Sequence, residues 1–95
     1  MRVIARKALV EFWTVHPESK DPLARWHRIV ERSTFGDFAS LRQTFPSADM
    51  VGQYTVFNIG GNKYRLIASI HFDRGKVYVR HVLTHQEYDQ GKWKK

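Results

Sequence analysis

The chain contains no cysteine and no long apolar run. Without cysteine there can be no disulfide framework, no thiolate zinc site and no cysteine nucleophile. The apolar runs are a few residues long, far below the ~20 residues that a membrane-spanning helix requires. Residues 1–6 also lack the apolar core of a signal peptide. We therefore expect a cytoplasmic protein with no exported or membrane-anchored segment.

Acidic residues are scarce as well, with nine Asp and Glu against 16 Lys and Arg and a formal net charge of +7. The excess lies in residues 51–95, which carry eight basic against three acidic residues. A small basic protein binds polyanions because binding releases their counterions. Nucleic acid is therefore the first expected partner, followed by an acidic protein or a membrane surface.

The same scarcity argues against a metal site. No acidic cluster is present for magnesium. His81 and His85 are four residues apart, but their segment has the pattern of a strand, where that spacing is too long for two side chains to share an ion easily. We expect metal-independent chemistry with no cofactor.

What the sequence does contain is enough apolar material for one core. It has 95 residues, of which 42% are hydrophobic and 14% aromatic. A chain of this length fits one domain, and its hydrophobic content is too high for a disordered protein. We expect a single domain over residues 1–95.

Hydrophobic periodicity separates helices from strands along the chain. The pattern predicts a short strand at residues 2–5, then a helix that ends at Pro17, a helix from Asp21 and Pro22, and a short helix over 38–45. From Gln53 the period changes to two, which predicts strands at 54–59, 64–72 and 76–83 joined by glycine-containing turns. This order predicts an α+β fold: an antiparallel sheet, made of the short N-terminal strand and a three-stranded meander, with the helices on one face.

The alternation of residues predicts which sheet face is polar. In the middle strand the even positions from Tyr64 to Phe72 are apolar, so they should face the helices, with Arg65 on the other face. A two-residue turn at Arg74-Gly75 would place His81 and Leu83 on the apolar side, His81 as a core histidine, and Val82 on the other face, although a slip of one residue would reverse that. The same register sets Thr84 across from Arg65 and so places His85 close to it. A two-residue glycine turn before the middle strand would place Thr55, Phe57 and Ile59 inward. The predicted polar face carries Asn58, Lys63, Arg65, Ser69, His71, Tyr78, Arg80 and Thr84.

Arginines, a lysine and an aromatic ring on one face form a mixture that holds phosphates and stacks bases. The same pattern is also typical of a sheet face that is simply solvated.

The segment after the last strand places His85, Tyr88, Asp89 and Lys92 at helical positions i, i+3, i+4 and i+7. Histidine is the natural general base or acid near neutral pH, lysine can stabilise a phosphorane, and tyrosine can stack a base or pass a proton. A polar helix face without function is the alternative interpretation.

Three stretches of the sequence together resemble a known family. The stretch 55–68, in particular Asn58 to Arg65, the stretch 79–85 and the pair Tyr88-Asp89 are similar to the HigB toxins, a branch of the RelE-like toxin superfamily. Residues 44–49 and the N-terminal residues Arg2 to Ile4, Lys7, Leu9, Phe12 and Trp13 fit the same pattern, so the resemblance covers nearly the whole chain. It implies a microbial RNase fold and cleavage of mRNA on the translating ribosome. It also implies a helix-turn-helix antitoxin of the HigA type, through which alone the toxin would contact operator DNA.

The resemblance also implies roles for individual residues. In RelE-like enzymes a strand arginine holds the scissile phosphate, the ribose 2′-hydroxyl attacks and the 5′-oxygen leaves. Arg65 stands where that arginine is expected, and His85, Tyr88 and Lys92 would be the other catalytic groups. The RNA-binding residues would be Asn58, Lys63, Tyr78, Arg80, Lys94 and Lys95.

Two other functions remain open from the sequence. ParE-like toxins share the fold but poison DNA gyrase, so the fold alone does not determine activity. A non-catalytic RNA-binding module would use the same basic face without acid–base groups. The presence of Arg65, Arg80 and His85 favours the RNase.

Overall fold

The computed structural model describes residues 1–94 and confirms the α+β class. It contains two 3-10 turns, Pro17–Ser19 and Lys92–Lys94. Within residues 1–94 no helix is both long and apolar enough to cross a bilayer. The strands and helices, in chain order, are β1 (Arg2–Ile4), α1 (Arg6–Val15), α2 (Lys20–Arg32), α3 (Phe38–Thr44), β2 (Asp49–Val51), β3 (Tyr54–Ile59), β4 (Tyr64–His71), β5 (Lys76–Thr84) and α4 (His85–Gln90).

The five strands form one sheet in the order β1-β5-β4-β3-β2. Strands β2 to β5 pair antiparallel, as predicted for the meander, but β1 pairs parallel to β5, with Val3 opposite Val77. The sheet is therefore mixed rather than wholly antiparallel. Strand β2 was not predicted, because a three-residue edge strand is too short to show alternation.

Helices α1, α2 and α3 cover one face of the sheet and form the main core with it. Leu9, Leu23 and Leu41 are each at most 1% exposed and belong to one cluster with Phe57 and Leu66. The predicted inward positions of β3 and of the even residues of β4 are confirmed. Helix α3 begins with a capping box, in which the Asp37 side chain accepts from the Ser40 amide. This local sequence signal fixes where the helix starts.

A β-bulge changes the register between β4 and β5. Ala68 pairs with Val79, but the preceding residue, Ile67, pairs with His81, so Arg80 is the extra residue. An extra residue on one strand moves every later side chain of that strand to the other face.

The bulge overturns part of the predicted facing. Val82 packs against the main core, and Thr84 pairs with Tyr64 on that side, although both were predicted on the polar face. His81 and Leu83 were predicted in the core and instead lie on the opposite face, where Leu83 joins a second apolar cluster. The predicted two-residue turn was also wrong, because residues 72–75 form a four-residue connection.

This second cluster covers part of the face that was expected to be open. Trp93 is 6% exposed and packs with the buried Val56 and Ile67, with Leu83 and Tyr88 at the edge. The indole Nε1 of Trp93 donates to the Tyr88 carbonyl oxygen at 3.1 Å, and the two rings stack with centroids 5.2 Å apart. The end of the described chain is thus anchored to the sheet and fixes the position of Tyr88.

Trp93→Ala should therefore lower the free energy of unfolding by about 3 kcal/mol, the ordinary cost of truncating a buried aromatic side chain. Urea denaturation followed by circular dichroism measures this. Lys94→Ala, an exposed neighbour, is the control and should change stability by less than about 0.5 kcal/mol. A loss below about 1 kcal/mol in Trp93→Ala would show that the second cluster contributes little.

Candidate active site

Arg65 lies on β4, between β3 and β5, and is only 8% exposed. Its Nη1 donates to the carbonyl oxygens of Asn62 at 3.2 Å and Tyr64 at 3.1 Å. Its Nη2 donates to Asn62 Oδ1 at 3.2 Å and lies 3.1 Å from Nδ1 of His85. Four hydrogen bonds therefore hold the guanidinium in one place.

None of these four acceptors carries a charge. Within residues 1–94, no carboxylate lies within ion-pair distance of Arg65. Buried charges in proteins are ordinarily paired, because desolvating an ion costs several kcal/mol. The Tyr88 ring, whose centroid is 5.5 Å from Arg65 Cζ, offers only its π face. Arg65 is therefore a fixed positive centre that lacks an anion.

The turn before β4 explains the first two bonds. Gly60 and Gly61 both have positive φ, 62° and 70°, a conformation that residues with a side chain rarely adopt. This tight turn brings Asn62 back alongside the first residues of β4, so that both its carbonyl oxygen and its amide oxygen meet the guanidinium.

His85 is fixed by the start of α4. Thr84 and Glu87 form a capping box, with Thr84 Oγ1 accepting from the Glu87 amide at 3.1 Å and Glu87 Oε1 accepting from the Thr84 amide at 2.9 Å. The amide of His85 donates to the Lys63 carbonyl oxygen at 3.0 Å. The capping box and the backbone hydrogen bond to Lys63 together position the His85 imidazole beside Arg65.

The two neighbours of the imidazole ring indicate which ring nitrogen carries the hydrogen. A guanidinium is always protonated and can only donate, so Nδ1 of His85 must hold a lone pair. The hydrogen is then on Nε2, which lies 3.1 Å from Oδ2 of Asp89. The ring of His85 thus bridges Arg65 and Asp89. We call these three side chains the Arg65–His85–Asp89 network.

Tyr64, next to Arg65, belongs to the other side of the sheet. It is buried, and its hydroxyl donates to Glu18 Oε1 at 2.5 Å. Glu18 lies in the 3-10 turn that precedes α2. This hydrogen bond raises the pKa of Tyr64 to about 12 and lowers the pKa of Glu18. Tyr64 therefore keeps its proton at neutral pH and ties the helical layer to β4.

Of the four predicted catalytic residues, the structure brings together Arg65, His85 and Tyr88. Lys92 is not on the same helix face, because Gly91 adopts φ 74° and ends α4 after Gln90. Lys92 instead lines a separate surface cavity of about 360 Å³ together with His81. The glycine was the available signal that the helical spacing would not extend that far.

The predicted RNA-binding residues are spread along the same face. Asn58 pairs with Arg65 and is exposed, as is Lys63 in the turn. At the far end Arg80 donates from Nε to Ser69 Oγ at 3.1 Å, and its Cζ lies 5.3 Å from the Tyr78 ring centroid. Arg80 also lines a polar cavity of about 410 Å³. Lys94 is exposed, and Lys95 lies outside the described residues.

Asp89 was not among the predicted site residues. Its i+4 spacing from His85 was visible in the sequence, but the hydrogen bond could be recognised only once both residues were placed on one short helix.

The fold is a mixed sheet with helices on one face, and the other face carries a buried arginine beside a histidine and a tyrosine, an arrangement that could accommodate an anion. Residues 19–91 match the model of the HigB toxin family, described as the RelE-like toxic component of a toxin-antitoxin system. The chain belongs to this family.

Characterised relatives cover most of the chain. It is 36% identical over 92 residues to the mRNA interferase toxin HigB of Escherichia coli K12, and the alignment covers 94% of this chain and 88% of the relative. The mRNA interferase HigB of Shigella flexneri gives the same figures. The mRNA interferase HigB of Escherichia coli O6:H1 is 28% identical over 93 residues, covering 95% of this chain and 90% of the relative.

If Arg65 is an anion site, inorganic phosphate should stabilise the protein against heat. At ten times its dissociation constant phosphate would add about 1.4 kcal/mol. The melting temperature of the parent should rise with phosphate at constant ionic strength, and that of Arg65→Ala should not. Arg74→Ala, an exposed arginine in the 72–75 connection, should behave like the parent. Equal shifts in all three proteins would place phosphate elsewhere.

Proposed function

We propose that this chain is an endoribonuclease that cuts mRNA, the activity that the names of its relatives give to them. The observation that carries this proposal is the buried guanidinium of Arg65, which has no carboxylate partner in the described residues and contacts the His85 ring. A phosphodiester supplies the missing anion, and its neighbouring 2′-hydroxyl supplies a proton for the histidine to take. The charge balance of the site and the proposed substrate therefore complement each other.

In the proposed reaction the 2′-oxygen forms a bond to phosphorus and the bond to the 5′-oxygen breaks. The products are a 2′,3′-cyclic phosphate and a free 5′-hydroxyl. Arg65 stabilises the negative charge that grows on the phosphorane oxygens, where a fixed donor in a water-poor site has its largest effect. His85 takes the proton of the 2′-hydroxyl. Tyr88, held by its stacking on Trp93, offers a face to a flanking base.

The setting of the reaction is also part of the proposal. As a member of a toxin–antitoxin family, the chain would act in the cytoplasm on mRNA at the translating ribosome, and a HigA-type antitoxin would restrain it. Lys63, Arg80 and the lysines after Gly91 would hold RNA or ribosome on either side of Arg65, and Lys92 would act in this binding rather than in the chemistry.

The two alternative functions, a gyrase poison and a non-catalytic RNA-binding module, predict no cleavage of mRNA. Neither a gyrase poison nor a binding module needs an acid–base group beside a phosphate site. Toeprinting of programmed ribosomes with and without the protein separates the RNase from both alternatives, because only an RNase leaves codon-specific cuts.

Arg65→Ala should lower kcat/KM for cleavage by a factor that corresponds to about 2–4 kcal/mol, by analogy with the removal of an oxyanion donor. Single-turnover toeprinting on programmed ribosomes gives the rate, and circular dichroism verifies the fold. Arg74→Ala is the matched control and should cut at the parent rate. Codon-specific cleavage by Arg65→Ala at the parent rate would remove Arg65 from the mechanism.

Binding to ribosomes should weaken steeply with salt, because the contacts proposed for the basic residues are with phosphates. Lys63→Ala and Arg80→Ala should each reduce the slope of log affinity against log salt by about 1. The slope is measured by cosedimentation at several potassium chloride concentrations. An affinity independent of salt would mean that these charges serve another partner, such as an acidic antitoxin.

A further inference from the structure

We propose that a hydrogen bond from Arg65 occupies the Nδ1 lone pair of His85 in the free protein. The substrate phosphate frees this lone pair by taking over Nη2 of Arg65, and Asp89 is the positioning residue that keeps the lone pair on Nδ1. The inference rests on the proposed function, since it concerns the step in which the 2′-hydroxyl loses its proton. It follows from which atoms of the Arg65–His85–Asp89 network are already occupied.

Both ring nitrogens of His85 are engaged in the structure. Nδ1 has the only lone pair suited to take a proton, and Arg65 Nη2 lies 3.1 Å from it. Nε2 carries the hydrogen and faces Asp89 Oδ2 at 3.1 Å. A base needs a free lone pair within hydrogen-bond reach of the proton it takes. The Nδ1 lone pair is therefore present but already occupied by Arg65.

The contacts of Arg65 determine which of its bonds an RNA phosphate would replace. Nη1 donates to two backbone carbonyl oxygens, which the turn and β4 fix in place. Nη2 donates only to side chains, Asn62 Oδ1 and His85 Nδ1. A phosphate oxygen carries negative charge, so its bond to the guanidinium adds a Coulomb attraction that the two neutral side-chain acceptors lack. Phosphate should thus take Nη2 and leave the Nη1 contacts intact.

The phosphate that frees the His85 lone pair also brings the 2′-hydroxyl close to it. The 2′-oxygen is attached to the ribose carbon next to the one that carries the scissile phosphate, so a phosphate on Nη2 brings a 2′-hydroxyl close to the freed Nδ1. The proton of that hydroxyl passes to Nδ1 as the 2′-oxygen bonds to phosphorus, and the departing 5′-oxygen takes a proton from water. The hydroxide so formed is neutralised by the proton that His85 returns to solvent.

Asp89 has two effects on this sequence. It accepts the Nε2 hydrogen, which keeps the ring in the tautomer whose lone pair is on Nδ1. Its carboxylate then lies beside the imidazolium that forms. Since the side chains of His85 and Asp89 are 48% and 60% exposed, water screens the second effect, and we expect the tautomer to be the larger contribution.

Nitrogen-15 NMR of the His85 ring tests the hydrogen-bond arrangement without any cleavage. In the free parent protein the long-range coupling pattern should show hydrogen on Nε2, and inorganic phosphate should move the Nδ1 signal toward that of an unbonded, pyridine-type nitrogen. With phosphate bound, Asp89→Ala should show a mixture of tautomers, because neither Arg65 nor a carboxylate then fixes the hydrogen. Hydrogen on Nδ1 in the parent, an Nδ1 signal unchanged by phosphate, or a single tautomer in phosphate-bound Asp89→Ala would each overturn the inference.

Cleavage rates test its consequence. Asp89→Ala should slow single-turnover cleavage on programmed ribosomes about tenfold with no change in half-saturating protein concentration, since a base is then misdirected rather than removed. Asp89→Asn, which keeps an acceptor oxygen, should recover most of the rate, and His85→Ala should lose more than Asp89→Ala. Gln86→Ala, on the same helix, is the control and should equal the parent.

Loss of fold would not explain the Asp89→Ala result. Asp89 lies near the C-terminal end of α4, where a negative charge is unfavourable, and alanine is the better helix former. Parent-like cleavage by Asp89→Ala, or a defect confined to binding, would overturn the inference alone. A parent protein that never cuts RNA would instead contradict the proposed function, while the NMR measurement would still report on the hydrogen bonds.

Discussion

The pairing of β4 with β5 is the constraint on which the rest of the molecule depends. Before the bulge at Arg80, Val77 and Val79 of β5 face the helices. After the bulge the facing is reversed, so Leu83 lies on the opposite face. Leu83 and the wholly buried Ile67 of β4 form the apolar surface on which Trp93 packs. Without that surface the residues after β5 would have nothing to dock on, and His85 and Tyr88 would not be held at the arginine.

Strand β4 is therefore buried on both sides along its middle, with Leu66 facing the helices and Ile67 facing the small second cluster. Arg65 lies at the rim of this second cluster, close enough to be 8% exposed. A charge in such a place is weakly screened by water, and it is already oriented before any ligand arrives. The weak screening of Arg65 thus depends on the apolar residues that pack around it.

The sequence predicts the elements well because their boundaries are set by local signals such as prolines, caps and glycine turns. It also predicts the facing of β3 and β4, where alternation is regular. The bulge could not be predicted, because the run from Lys76 to Thr84 has apolar residues of both parities and one inserted residue satisfies both faces. The burial of Trp93 could not be predicted for a similar reason, because it depends on a surface that only the shifted register creates.

The proximity of His85 to Arg65 was predicted from a register with Thr84 opposite Arg65. Leu83 holds that place instead, and the proximity survives because the end of β5 stays beside the start of β4 in both registers.

The turn between β3 and β4 has a role beyond joining two strands. Three of the four bonds that hold the Arg65 guanidinium come from residues no more than three positions away, Asn62 and Tyr64. The orientation of the guanidinium is therefore encoded by a few backbone torsions, above all the left-handed ones at Gly60 and Gly61. A β-carbon at Gly61 would meet no atom within 4 Å, so a replacement there would strain the backbone without any clash. Such a protein would keep its core and its surface charge while its arginine pointed elsewhere, which makes this exposed glycine a determinant of chemistry rather than of packing.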